Sequence, residues 1–236
     1  MISRKALYQQ VWDVLAERIT SGVWKPGAVI PNEGDLAREL GVSVGTMRKA
    51  LALLEERRLV TRRQGRGTFV NDQAAHALAE RFSNLRTGDG APICAPAKPA
   101  QIGQGSANEL ERARLRLRAD EPVYRIRRLR HRGQRVFLIE EATVPAALFP
   151  GLADMTPIAD HIGALAQHYG ILLGKVEERI FMRSPPAAIA EALGIAPDTT
   201  VMVLDRVVLA LDSFRPVEWR LAHCHPDGAY YLSEMR

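Results

Sequence analysis

The sequence predicts an α+β chain in two parts, with short helices closed by a basic hairpin over residues 1–70 and a larger domain on a largely antiparallel sheet over residues 80–236. Residues 71–79, NDQAAHALA, read as the linker between them. Three observations carry this prediction. Apolar residues recur at helical spacing as far as Leu54, and they alternate at strand spacing in five later runs. Charge divides the same way: residues 1–72 hold twelve Lys and Arg against eight Asp and Glu, so they carry +4 of the chain's net +5. A basic surface confined to one part of a chain is the electrostatic footprint of a polyanionic partner.

Leu7, Val11, Val14 and Leu15 predict an amphipathic helix over about residues 5–21, stopped at Gly22. WKPGAVIP follows as a turn-rich connector. Asn32 is a suitable N-cap, with Asp35 three residues on, for a second helix that turns Leu36, Ala37 and Leu40 inward and ends at Gly41. After a very short turn, Ser43 caps a third helix whose buried stripe is Met47, Ala50, Leu51 and Leu54. Burying that stripe turns Gly45, Arg48 and Lys49 outward near the helix N-terminus. VTRR then pairs with TFVN across the tip Gln64-Gly65-Arg66-Gly67. Capped helix, tight turn, second capped helix and basic hairpin in this order form a winged helix-turn-helix, a module for duplex DNA. Its third helix offers its N-terminal end to base edges in the major groove. Ser43 and Thr46 are placed to donate to phosphates, and Arg66 on a narrow tip is placed to lie along a minor groove or a phosphate edge.

Residues 6–70 closely resemble the N-terminal domain of the GntR family of bacterial transcription regulators. The likeness rests on WKPGAVIPNEGDLARELGVS, TMRKAL and RRQGRGTFV. It implies DNA contacts from Ser43, Thr46 and Arg48 on the recognition helix and from Gly65 and Arg66 on the wing. Members commonly carry Arg where this chain has Gly34, and often where it has Val44; Lys49 is the residue placed to supply one of the missing cations.

In the second part, helices are expected at residues 108–118, 157–169 and 186–193. Strands are expected at 123–130, 136–144, 175–182, 201–211 and 216–223, with 87–105 a loop or irregular edge. Arg128 and Arg130 lie two apart on one strand, and Glu140 and Glu218 interrupt other apolar strands. Charges so placed form either a structural salt bridge, a solvated face or a polar pocket, and spacing alone favours the first two. Residues 80–235 also resemble the UTRA domain, the chorismate-lyase-like effector-binding half of the HutC subfamily of GntR regulators. That likeness rests on RRLRHRGQRVFLIEEATVPAALFPGL, AIAEALGIAPDTTVMVLDRVV and RPVEWRLAHCHPDGAYY. It reverses the preference, implying that Arg128, Arg130, Glu140 and Glu218 line a pocket for a small molecule. Asp160 and Ile162 stand where sugar-phosphate-sensing members have Ser and Tyr, and Cys224 and His225 replace an aromatic and a cation. The expected effector is therefore a small polar metabolite, with a carboxylate suited to Arg128 and Arg130.

Other classes find little support. The chain has no catalytic nucleophile–base pair, no metal triad and no phosphate loop, so no cofactor is expected and an enzyme of chorismate-lyase-like fold is the lesser alternative. A DNA-binding protein without an effector is the other. His223 and His225 share a strand face but have no third ligand at metal-binding spacing, and read as surface or pocket histidines. Cys94 and Cys224 are far apart and read as free thiols. No apolar run is long enough to span a membrane, and the first residues do not form a signal peptide. The expected protein is a cytoplasmic, homodimeric repressor that binds double-stranded DNA at a short inverted repeat.

Overall fold

The computed structural model describes residues 5–72, 84–91, 93, 101–225 and 227–233. The chain divides into two compact units, Met1–Ala75 and His76–Arg236. Beyond Asp72, the expected linker lies outside the described residues, as does Cys94. No helix among the described residues is long and apolar enough to cross a membrane.

The first unit contains α1 (Leu7–Thr20), β1 (Val29–Ile30), α2 (Glu33–Glu39), α3 (Val44–Glu56), β2 (Val60–Arg63) and β3 (Gly67–Val70). Both capping residues act as their types require. Asn32 Oδ1 accepts from the Asp35 amide at 2.9 Å, and Ser43 Oγ from the Thr46 amide at 3.1 Å. In α3, Met47, Ala50, Leu51 and Leu54 are all buried. In α1 the stripe is rotated from its expected position: Val11, Leu15 and Ala16 are buried, while Leu7 and Val14 are exposed. At 3.6 residues per turn, the half-buried Trp12 and Ile19 lie on the Leu15 side of that helix and Leu7 and Val14 on its margin. The connector also differs from expectation. Residues 29 and 30 form a strand, with Val29 opposite Phe69 and Ile30 opposite Thr68, so the wing is a three-stranded sheet of order β1-β3-β2.

The second unit is built on six antiparallel strands in the order β5-β6-β7-β10-β9-β8. They are β5 (Gln101–Ser106), β6 (Pro122–Arg132), β7 (Arg135–Pro145), β8 (Leu173–Arg183), β9 (Val201–Ala210) and β10 (Pro216–Cys224). A separate ribbon pairs β4 (Leu85–Thr87) with β11 (Ala229–Tyr231). Strand β5 falls, but for Ser106, inside the stretch expected to be loop or irregular edge, and β4 meets that stretch at Thr87. The glycines of β5 concealed it: a Cβ on Gly105 would lie 3.1 Å from Arg125 Nη1, because that guanidinium crosses the strand to reach the Ser106 carbonyl at 2.8 Å. The helices α4 (Glu109–Leu115), α5 (Ile162–His168) and α6 (Ala187–Leu193) are shorter than expected for the first two. Arg116 ends α4 in the left-handed region, and His161 starts α5 by accepting from the Ala164 amide.

Opposed residues of antiparallel strands share a face, so register assigns each face its cover. On one face, α4 packs over Val123, Val207, Leu209 and Trp219, and α6 over Ile139, Val201 and Val203. Below α4, Glu111 binds Arg125 and Arg114 binds Asp205, which also accepts from Trp219 Nε1 at 2.8 Å. The other face has two separate apolar clusters. Tyr124, Ile126, Val144 and Val208 pack with Phe149 and with Leu165 of α5. Leu138, Leu204, Ala222 and Cys224 pack with Leu85 of the β4–β11 ribbon. Between these two clusters the same face is charged.

Gly174, near the start of β8, is required by a close approach. A Cβ there would lie 2.8 Å from Leu211 Cα and 3.2 Å from the Leu211 amide nitrogen, and neither atom can swing aside as a side-chain tip can. Gly174→Ala should cost about 1–3 kcal/mol and lower the thermal midpoint by several degrees. A midpoint within one degree of wild type would contradict this packing.

Candidate nucleic-acid interface and candidate effector site

In the first unit, the exposed end of α3 and the tip of the wing hold the six residues expected to meet DNA. Ser43 Oγ lies 2.9 Å from Thr46 Oγ1, so the cap and the next hydroxyl form one polar group at the helix N-terminus. Arg48 and Lys49 are exposed on the following turn. Arg48 is held there: its Nε donates to Glu33 Oε2 at 3.0 Å, and Arg62 donates to the other oxygen of the same carboxylate at 3.0 Å. Glu33 thus draws a recognition-helix arginine and a wing arginine to one point. The sequence reading missed this role, because a Glu at the first position of a helix reads as favouring the helix dipole. Gly65 at φ 69° and Gly67 at φ 106° both take left-handed conformations that shape the tip, with Arg66 exposed between them. Arg63 lies over the Phe69 ring at 4.8 Å and stiffens the base of the wing.

In the second unit, the charged layer runs diagonally across five strands. Arg128 on β6 is opposite Glu140 on β7; Arg220 on β10 is opposite Arg206 on β9, which is opposite Glu178 on β8. Glu140 is 1% exposed, and three guanidiniums converge on it. Arg128 reaches it at 3.1 Å, Arg130 reaches both its oxygens at 3.1 Å, and Arg220 reaches it at 3.3 Å. Arg128 and Arg130 also donate to the carbonyls of Ala159 and Asp160, each at 2.8 Å, tying the sheet to the segment before α5. Glu178 accepts from Arg206 at 2.7 Å and from the Tyr231 hydroxyl at 2.5 Å.

Glu218 is buried in the same layer but is bound differently. No side chain among the described residues donates a hydrogen bond to it; burial pushes its carboxyl up, against the opposing pull of Arg220, Arg128 and Arg206. Two donors of the layer, Arg128 Nε and Arg220 Nε, are buried with no hydrogen-bond partner among the described residues. The four expected effector-site residues are therefore brought together, but three of them already form an ion cluster and only Glu218 is uncommitted. Sequence reasoning missed Arg220, Arg206, Glu178 and Tyr231. The first two were legible in principle, since each interrupts an apolar strand as Glu140 does, in PVEWRL and VMVLDRVV.

His223 corrects an expectation. It is neither a surface nor a pocket histidine: it is buried opposite Ile139 and Val203, on the α6 side of the sheet, away from the charged layer. Burial lowers its pKa, which keeps it neutral among apolar neighbours. Cys224, the next residue, points to the opposite face, and burial raises its thiol to about 12.

Burial alone would raise the Glu140 pKa, but Arg220, Arg130 and Arg128 outweigh it and hold the carboxyl at about 2, against an ordinary 4.5. A lowered folded-state value gives stability that is present above the unfolded pKa and is lost as pH falls from about 4.5 toward 2. The difference is worth about 3 kcal/mol. Glu140→Gln takes their shared anion from the buried Arg128 and the half-buried Arg130 and Arg220, and should lower the thermal midpoint by on the order of 10 °C at pH 7. The gap to wild type should shrink as pH drops below 4.5; a gap constant from pH 7 to pH 3 would contradict the ionised state of Glu140.

Comparison with known proteins gives this geometry a lineage. Residues 7–70 match the family described as bacterial regulatory proteins, gntR family, and residues 99–229, more than half the chain, match the UTRA domain. The HTH-type transcriptional regulator GgaR of Escherichia coli K12 is 28% identical over 233 residues, covering 97% of this chain and 90% of its own. The histidine utilization repressor of Klebsiella aerogenes is 43% identical over 63 residues, 27% of this chain and 26% of its own. The structure of PhnF from Mycobacterium smegmatis shares the fold, with a TM-score of 0.56 at 23% identity, covering 96% of this chain and 99% of that one. The chain belongs to the GntR family of bacterial transcription regulators, in its HutC subfamily, and is not an enzyme but a DNA-binding winged helix-turn-helix joined to a UTRA domain that binds a small-molecule effector.

Proposed function

We propose that the protein is a cytoplasmic repressor, with residues 1–70 as the reader, 71–79 as linker and 80–236 as the effector domain. It acts as a homodimer on a short inverted repeat of double-stranded DNA and is controlled by a small anionic metabolite bound in the charged layer. One recognition helix per chain reads too few base pairs for a specific site, which is the physical reason for a two-fold operator. Ser43 and Thr46 bind phosphate at the α3 N-terminus, Arg48 and Lys49 read the major groove, and Gly65 lets the wing tip approach closely enough for Arg66 to reach the backbone or minor groove. Glu33 supports this reading, since it holds Arg48 in place before DNA arrives and so reduces the ordering cost of the contact. Replacing Arg48 and Arg66 together by Ala should weaken operator binding at least tenfold and reduce the salt dependence by about two counterions. Undiminished binding in a fluorescence-anisotropy titration would remove both residues from the interface.

The observation that carries the effector assignment is the uneven satisfaction of the charged layer. Arg128, Arg130, Arg206 and Arg220 supply four cations, Glu140 and Glu178 are hydrogen-bonded anions, and Glu218 is buried with no donor. An anionic ligand with a hydroxyl fits that set: its charge meets the arginines, its hydroxyl meets Glu218, and Arg128 Nε and Arg220 Nε are donors to spare. Binding shifts the population of dimers whose recognition helices match the operator spacing. Because its carboxyl is raised, Glu218 in its charged form costs stability at neutral pH, so Glu218→Gln should leave the unliganded thermal midpoint equal or higher. In a thermal-shift screen of small hydroxylated carboxylates and phosphates, the same variant should lose most of the stabilisation that wild type gains from its ligand. A ligand that stabilises wild type and Glu218→Gln equally would place Glu218 outside the site.

A further inference from the structure

The start of α3 presents a mixed surface to solvent. Ser43, Val44, Gly45, Arg48 and Lys49 are all exposed there, and Ala52 follows them one turn on. These residues supply a hydroxyl, two cations and one large apolar side chain, with no carboxylate and no amide. Val44 is 44% exposed at the first position of the helix. It stands outside the stripe that α3 buries, which is Met47, Ala50, Leu51 and Leu54. At about 3.6 residues per turn it lies to one side of that stripe, one turn before Arg48 and on the same flank.

Gly45, the next residue, is open in the same way. A Cβ there would meet only Ser43 Oγ, at 3.8 Å, and its backbone is not left-handed, so nothing within the fold calls for glycine. Glycine weakens a helix relative to alanine. Its gain lies outside the chain: a missing Cβ beside Val44 lets this end of the helix come closer to the surface on which it docks.

We propose that Val44 reads a thymine in each half-site, packing its methyl groups against the 5-methyl group of that base in the major groove. This rests on the DNA-reading role of α3 in the proposed function and adds a residue that the role did not include. Every base pair shows a distinct edge in the major groove, and the thymine methyl is its apolar feature. A valine side chain has no donor or acceptor, so it selects among bases through that feature. Apolar side chains standing singly on a surface are common and carry no meaning by themselves. Position gives this one its meaning, since it lies at the helix end that enters the groove, beside the capping hydroxyl and below Arg48. Arg48 binds Glu33 through Nε, at 3.0 Å, and its two terminal nitrogens hold no hydrogen bond among the described residues. They are the pair that suits guanine O6 and N7. Four residues of helix advance about 6 Å, under two base-pair steps of about 3.4 Å, which sets the thymine within two base pairs of that guanine.

The test uses the full chain and synthetic duplexes. Sites are selected from a randomised double-stranded DNA library with the wild-type chain. Each thymine of the selected site is then replaced, one at a time, by deoxyuridine, which lacks only the methyl group. Anisotropy titrations should find a thymine in each half-site whose replacement weakens binding about fourfold, the worth of one methyl group withdrawn from water. Val44→Ser should bind the thymine and deoxyuridine duplexes equally to within about twofold. Val44→Arg, carried through the same selection, should exchange that thymine for guanine. A wild-type chain that binds every deoxyuridine duplex as tightly as the parent, while Arg48→Ala still weakens it, would overturn the role of Val44 and leave DNA reading by α3 intact. So would a Val44→Ser chain that keeps the full deoxyuridine penalty. A wild-type chain that enriches no sequence from the library would overturn both. The wild-type series needs no variant, so it decides the matter even where a substitution disturbs the fold.

Discussion

A carboxylate almost wholly removed from water persists at the centre of the larger unit because three guanidiniums, one neighbouring strand supplying two and the other supplying one, converge on it. Glu140 on β7 has Arg128 and Arg130 on β6 and Arg220 on β10, and none of the four could be tolerated there alone. A slip of one residue in any of these strands would throw its charge onto the opposite face, among Ile139, Val203 and the α6 cluster. The ion cluster therefore fixes the register of the central sheet more sharply than apolar alternation does. It also divides one face into two apolar clusters, one under α5 and one under the β4–β11 ribbon, with a polar band between them. Everything proposed for ligand recognition depends on that charged band.

The same device recurs in smaller form in the DNA-reading unit. Glu33 joins Arg48 of the recognition helix to Arg62 of the wing, as Glu140 joins β6 to β10. The difference lies in solvent. The Glu33 pairs are partly exposed and so worth little to stability, which leaves Arg48 able to leave its carboxylate at small cost. The Glu140 pairs are buried and cannot be exchanged cheaply. One cluster is thus suited to releasing its arginine to a partner, and the other to holding its arginines fixed around one.

The first unit was almost fully legible in the sequence because its signals are local. Caps at Asn32 and Ser43, glycines at the wing tip and a four-residue apolar stripe each act within a few residues of one another. Its misreadings came from packing that local periodicity does not specify: the rotated stripe of α1, and residues 29–30, which become a strand only because β3 lies beside them. In the second unit five of the six sheet strands were legible, the outer strand β8 among them, and β4, β5 and β11 were not. Strand β5 is hidden by its two glycines, of which Gly105 admits Arg125, and its neighbours in the chain are turn formers. The candidate site was half legible. Arg128, Arg130, Glu140 and Glu218 carried the family's motif, whereas Arg206, Glu178 and Tyr231 join the layer only through register and tertiary packing. His223 was misread because two residues on one strand face need not have the same burial when the strand ends between a helix and solvent.

The central claim is that the charged layer treats two buried carboxyls in opposite ways, Glu140 held as an anion by its arginines and Glu218 pushed toward its protonated form by burial. Carbon-13 NMR of protein labelled at the glutamate carboxyl carbons, with Glu140→Gln and Glu218→Gln spectra for assignment, follows both in one titration. Glu140 should keep its ionised shift from pH 7 down to the onset of acid unfolding, while Glu218 should titrate above the ordinary glutamate value of 4.5. Two carboxyls titrating together near 4.5 would contradict it.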